Sequence, residues 1–140
     1  MKRGICKLDG GLSLSQNSAM SIIDMHTHMF PPEMIADRAG YLERERWFAR
    51  LYANPHARMA SAEDLVASMD KAGIDISITF GFAFADLGLC RACNEYVLES
   101  AQQRPNRLIP LALVNPRAGK AAMVEARRCL EGGARGIGEL

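Results

Sequence analysis

Two of the three histidines in this chain stand two residues apart, in the stretch Ser21-Ile22-Ile23-Asp24-Met25-His26-Thr27-His28-Met29-Phe30-Pro31-Pro32. Side chains two apart on a strand point to the same face, so His26 and His28 can converge on one point. A neutral imidazole is a common ligand for a borderline cation such as zinc, so the chemistry this spacing suggests is metal binding. A bare His-x-His is a weak pattern, and two imidazoles hold a metal poorly without further ligands. The third histidine, His56, has no such neighbour.

The elements around the pair supply the context. The apolar residues Ile22, Ile23 and Met25 predict a strand over about 21–25 that ends in the histidines, and Pro31-Pro32 forbids further pairing. A helix is expected over 61–72, with Ser61 as N-cap, Glu63 and Asp64 in the first turn, an apolar stripe of Leu65, Val66, Met69 and Ala72, and Gly73 as the stop. The β-branched run Ile74–Phe80 predicts a second strand, over 75–80, ending at Gly81. A second helix is expected over 89–103 and a third strand over 108–114, with Pro110 near its start and Asn115-Pro116 at its end. A third helix over about 118–131 follows, its apolar positions drawn from Ala122, Met123, Val124, Ala126, Cys129 and Leu130. A fourth strand over 135–139 comes last. Strands alternating with helices imply parallel strands joined by right-handed crossovers, with every carboxyl end at one rim. His26, His28, Gly81, Asn115 and Glu139 therefore share an edge.

Glu139 is the other metal ligand this reading places on that rim, although a glutamate at a strand end is often simply solvated. Phe30, Gly81 and Asn115 are the candidate contacts for a small-molecule substrate. Asp24 is expected on the face of His26 but deeper, as a group orienting the ligands. Asp86, in the loop after strand two, is the weakest polar candidate. Residues 29–60 form a long insertion, in which Glu43-Arg44-Glu45-Arg46 suit the exposed face of a short helix with Trp47, Phe48 and Leu51 folding back. Such a segment can be a substrate-facing wall or an aromatic-anchored packing loop. Cys90-Arg91-Ala92-Cys93 lacks the second cysteine pair of a zinc cluster, and core packing accounts for it better than redox chemistry. The glycines 132, 133, 136 and 138 precede a strand, the wrong place for a phosphate loop.

The chain has 140 residues, 49% of them hydrophobic, enough for one domain with a real core. Its net charge of +1, from 17 basic and 16 acidic residues, argues against a nucleic-acid partner. There is no apolar run of membrane-spanning length. Four cysteines without a disulfide pattern, and the lack of an apolar segment after Met1-Lys2-Arg3, make the cytoplasm the expected compartment. Residues 1–19 are rich in glycine and serine and predict a flexible arm, with Met20 an alternative start.

Asp24-Met25-His26-Thr27-His28, the following Phe30-Pro31-Pro32, and Gly136-Ile137-Gly138-Glu139-Leu140 together resemble the amidohydrolase-related (amidohydrolase 2) branch of the amidohydrolase superfamily. That family implies a (β/α)₈ TIM-barrel fold and a divalent metal, usually zinc and sometimes manganese. The resemblance assigns His26 and His28 as ligands, and Glu139 as the acid that some branches use. A full barrel takes about 250 residues, so residues 20–140 are expected to be its first half, about four strands, carrying the insertion 29–60. Family members draw further ligands and an acid/base from later strands. The expected function is a metal-dependent hydrolase or decarboxylase of a small carboxylate- or carbonyl-containing substrate, with unpaired edges that favour a homo-oligomer or association with a carboxyl-terminal half. A non-catalytic, metal-holding or oligomerising half-barrel is one alternative. A TatD-like metal-dependent nuclease is another, disfavoured by the neutral charge.

Overall fold

The computed structural model describes residues 20–138, so the expected arm over 1–19 and the candidate ligand Glu139 lie outside the described residues. Strand β1 (Ile23–His28) leads into the insertion, which holds three short helices: α1 (Pro32–Ala36), α2 (Arg38–Arg44) and α3 (Arg46–Tyr52). Then come α4 (Ala62–Ala72), β2 (Ile76–Phe80), α5 (Leu87–Gln103), β3 (Leu108–Pro110), a 3-10 turn over Pro116–Ala118, and α6 (Lys120–Glu131). The three strands form one sheet in chain order, and both pairings are parallel. No helix of the described residues is long and apolar enough to cross a membrane.

The helix boundaries follow from local chemistry. Ser61 and Asp64 form a capping box: the Ser61 hydroxyl accepts from the Asp64 amide at 3.2 Å while the Asp64 carboxylate accepts from the Ser61 amide at 3.0 Å. Gly73 ends α4 in the left-handed region, at φ 70°, where a Cβ is costly. Helix α5 starts two residues earlier than its apolar pattern suggests because Asp86 caps it, accepting from Gly88 and Leu89 at 2.7 and 3.1 Å. That bond set gives Asp86 a structural task.

Strand β1 ends in the histidines and includes both, with His28 paired to Phe80. Its register shifts between Asp24 and Thr27, so Met25 and His26 together lie opposite Ile78. The bulge corrects the expectation for Asp24. That residue pairs with Ser77, whose side chain faces away from that of Phe80, and so Asp24 leaves the face of His28. Its carboxylate instead accepts from the His26 amide at 3.1 Å.

Regular pairing of β3 with β2 covers Leu108–Pro110, with one further bond from the Leu111 amide to the Thr79 carbonyl at 2.9 Å, so the strand is shorter than the expected 108–114. Parallel bonding continues beyond it. The Arg135 amide donates to the Pro110 carbonyl, the Ala112 amide to the Gly136 carbonyl and the Gly138 amide to the Ala112 carbonyl, at 2.8–3.0 Å. The expected fourth strand is therefore present as a parallel bridge, Ala112 to Ile137. At Leu113 the side chain of Asn94 stands in for a neighbouring strand, accepting from its amide at 2.9 Å and donating to its carbonyl at 2.8 Å.

One face of the sheet packs on helices: Leu65 and Met69 of α4, and Val97 and Ala101 of α5, close over Met29 and Leu108. Ser77 and Thr79 of β2 point to this face and are fully buried. On the other face Ile76, Ile78 and Ile109 are half-buried. A second core belongs to the insertion, where Phe30, Phe48, Phe82 and Phe84 pack with Met34, Cys90 and Cys93. Here two expectations fail. Trp47 and Leu51 are exposed, and Glu45 is buried between α2 and α3, accepting from the amides of Ala85 and Asp86 at 2.9 and 3.0 Å. Each carboxylate oxygen serves one of these amides, which holds the acid inward. On α6 only Ala122 and Cys129 are buried, while Met123, Val124 and Leu130 are exposed.

Candidate metal centre

The bulged end of β1 carries both imidazoles onto one face, where their Nε2 atoms approach to 3.2 Å. Zinc–imidazole bonds of 2.0–2.1 Å at the tetrahedral angle would separate two Nε2 atoms by about 3.3 Å, and a right-angled octahedral arrangement by about 2.9 Å. The observed separation lies between, so the pair fits the bite of one divalent ion of either geometry. Among the described residues no group of three or more His, Cys, Asp or Glu gathers as a metal site.

Two residues at the end of β2 hold the histidines: Phe80, which sequence reasoning did not single out, and Gly81, which it placed on the same rim as a substrate contact. The Phe80 ring meets both imidazoles edge-on, with centroids 4.9 Å from His26 and 4.7 Å from His28, and is itself buried. The Gly81 carbonyl lies 2.7 Å from His28 Nδ1. Gly81 was expected as a substrate contact; its carbonyl is taken up by the ligand pair. For Phe80 the only hint in sequence was that it closes a strand, which no local pattern distinguishes from any strand end.

The other candidates sit apart from the pair. Phe30 is 1% exposed, edge-on to Tyr52 and Phe48 at 5.3 and 6.0 Å, so the structure places it in packing and not on an open wall. Asn115 caps the 3-10 turn by accepting from Arg117 at 3.0 Å. It borders a cavity of about 360 Å³ with Leu87, Val114 and Val124 that includes neither histidine. His56 is exposed, and its amide donates to the Asn54 side chain.

The cysteine pair is buried beside this centre. Burial pushes the Cys90 thiol up to about 11 and the Cys93 thiol up to about 12. Both values disfavour the thiolate that redox or metal chemistry needs. The Cys90 thiol donates to the Phe84 carbonyl, and the Cys93 thiol to the Met34 sulfur at 3.5 Å.

A family profile described as amidohydrolase matches residues 23–138. The chain belongs to the amidohydrolase family. No curated protein matches it. Among solved structures, this amidohydrolase chain is similar to 5-carboxyvanillate decarboxylase from Novosphingobium aromaticivorans, complexed with manganese and 4-hydroxy-3-methoxy-5-nitrobenzoic acid. The identity is 22% and the TM-score 0.69, over 85% of this chain and 41% of that one. It is also similar to a 2,6-dihydroxybenzoate decarboxylase complexed with 2,6-dihydroxybenzoate, at 23% identity and TM-score 0.59, over 84% of this chain and 38% of the other. A 4-oxalomesaconate hydratase from Rhodopseudomonas palustris matches at 21% identity and TM-score 0.51, over 83% and 40%. The chain thus spans about two fifths of the length of these structures. The likeness is one of fold: parallel β/α units of a TIM-barrel amidohydrolase.

Proposed function

We propose that His26 and His28 hold one divalent cation, and that the chain serves a metal-dependent decarboxylase or hydrolase of a small carboxylate- or carbonyl-containing substrate. The observation that carries this reading is the 3.2 Å approach of the two Nε2 atoms on the rim where parallel β/α folds build their sites. Family membership agrees with it, and so does the manganese in a similar structure. When bound, such a cation supplies Lewis acidity toward a carbonyl or carboxylate oxygen. The chain's own residues hold the ligand rings on Phe80, and Glu139 is proposed as a third, anionic ligand. Zinc and manganese both suit the bite; the similar decarboxylase structure favours testing manganese first. Hydroxylated aromatic carboxylates, of the kind bound in the similar structures, are the substrate class to assay.

A second reading is a metal-holding half-barrel without turnover of its own, resting on the same approach of the two imidazoles. The test is a titration of the purified chain with Mn²⁺ and Zn²⁺, followed by measurement of CO₂ release from 2,6-dihydroxybenzoate. Stoichiometric binding with CO₂ release supports the decarboxylase reading, and binding without turnover of any tested carboxylate supports the second. A chain that binds neither metal ends both.

A further inference from the structure

We infer that the end of β2 is a positioning device for the ligand pair: Phe80 sets the ring planes, the Gly81 carbonyl selects the His28 tautomer, and the fit of Gly81 against Cys93 keeps that carbonyl in place. The inference rests on the metal reading above and assigns the residues that make the pair competent.

A carbonyl oxygen has no proton to give, so the 2.7 Å contact between Gly81 O and His28 Nδ1 requires the proton on Nδ1. A neutral imidazole protonated there carries its lone pair on Nε2, the atom that faces His26. His28 thus offers its ligating atom without rearrangement. Metal-ligating histidines commonly donate their other N–H to a carbonyl in this way, which fixes both tautomer and ring orientation. Phe80 completes the arrangement, because its buried ring meets both imidazoles at interplanar angles of 82° and 83° and so limits how either can turn.

Gly81 is needed here for space. A Cβ on it would stand 2.6 Å from the Cys93 Cβ, a distance that forces strand end and helix apart. Cys93 cannot easily yield: it is 0% exposed, and its thiol rests on Met34 of α1. Any side chain at position 81 therefore displaces the carbonyl that orients His28. The contact also connects the insertion, through Met34 and Cys93, to the ligand pair.

The experiment has two arms on the 140-residue chain. In the first, ¹⁵N-resolved NMR of the metal-free wild type above pH 8 identifies the His28 tautomer. A proton on Nδ1 is expected, and a proton on Nε2 overturns the inference. In the second, Mn²⁺ and Zn²⁺ affinities are measured for wild type, Gly81→Ala, and Gly81→Ala combined with Cys93→Gly. The single variant is expected to bind about tenfold or more weakly, the loss typical of removing an outer partner of a ligand. The double variant, which makes room for the new methyl, is expected to recover most of that loss. Wild-type affinity in Gly81→Ala, or a double variant no better than the single, overturns the inference. Circular dichroism checks the fold of each variant; if Gly81→Ala does not fold, the wild-type tautomer decides. A wild type that binds neither metal ends the metal reading, while the tautomer still decides whether Gly81 orders the ring.

Discussion

At the scale of single residues, the proposal depends on imidazoles that face each other and on little else. His26→Ala or His28→Ala removes half of the nitrogen donors, and Mn²⁺ affinity should fall on the order of 100-fold, beyond the loss from disturbing an outer partner. His56→Ala, at an exposed position outside the pair, should leave the titration unchanged. Calorimetry across these variants checks the order; equal affinity for His26→Ala and wild type would remove the premise. The cysteines make the opposite prediction. With thiols held near 11 and 12 by burial, Cys90 and Cys93 should react with Ellman's reagent at neutral pH only after denaturation, and changing both to serine should leave bound metal unchanged.

At the scale of elements, Glu45 and Glu125 mark where helices are fastened. Glu45 joins the insertion to the loop before α5, so Glu45→Ala strands the amides of Ala85 and Asp86 and should cost about 1–3 kcal/mol in a urea melt. Thr79 is the converse case. Its buried hydroxyl has no hydrogen-bond partner, so Thr79→Val, which keeps the shape, should leave stability unchanged or raise it. Glu125 of α6 ties that helix to α5 through Asn94 at 2.9 Å and pairs with Arg128 at 2.6 Å. Burial works against its charge, but hydrogen bonds from Arg128, Asn94 and Cys129, together with the Arg128 charge, hold its carboxyl at about 2. The folded value lies below the unfolded one, so the stabilisation is present above about pH 4.5 and is lost as pH falls toward 2. Thermal melts between pH 6 and 2 should show a shallower acid loss for Glu125→Gln than for wild type.

At the scale of the whole molecule, two apolar surfaces stand out beside the exposed Trp47 and Leu51 of α3: the start of β1, where Ile22, Ile23 and Met25 are 56%, 45% and 65% exposed, and α6, where Met123 and Val124 are each 70% exposed. Among the described residues β1 is also the edge of the sheet, the kind of strand that templates pairing with another chain. Self-association of the purified chain is the expected result, seen as a mass above the monomer that rises with concentration in light scattering. Met123→Lys with Val124→Lys should reduce it if α6 contributes. A monodisperse monomer at all concentrations would show that neither surface drives association.

What the sequence determined by itself was local or periodic. The capping box at Ser61 and Asp64, the stop at Gly73, and the alternation of apolar strands with helices are set by residues within a few positions of each other, and from them follow parallel strands and a shared rim. The His-x-His spacing was legible for the same reason, because two residues on one strand need no tertiary contact to share a face. Tertiary structure decided everything that depends on partners far along the chain. Position 81 reads as a strand end on the rim, a substrate contact, until its carbonyl meets His28 from 53 residues away, and Glu45 reads as a surface charge until amides 40 and 41 residues on turn toward it. The bulge that turns Asp24 off the histidine face is equally invisible, since one extra residue in a strand changes the pleat without changing the apolar pattern. Periodicity reports which residues can be buried; which atom of a buried group satisfies which other is settled only when the elements pack.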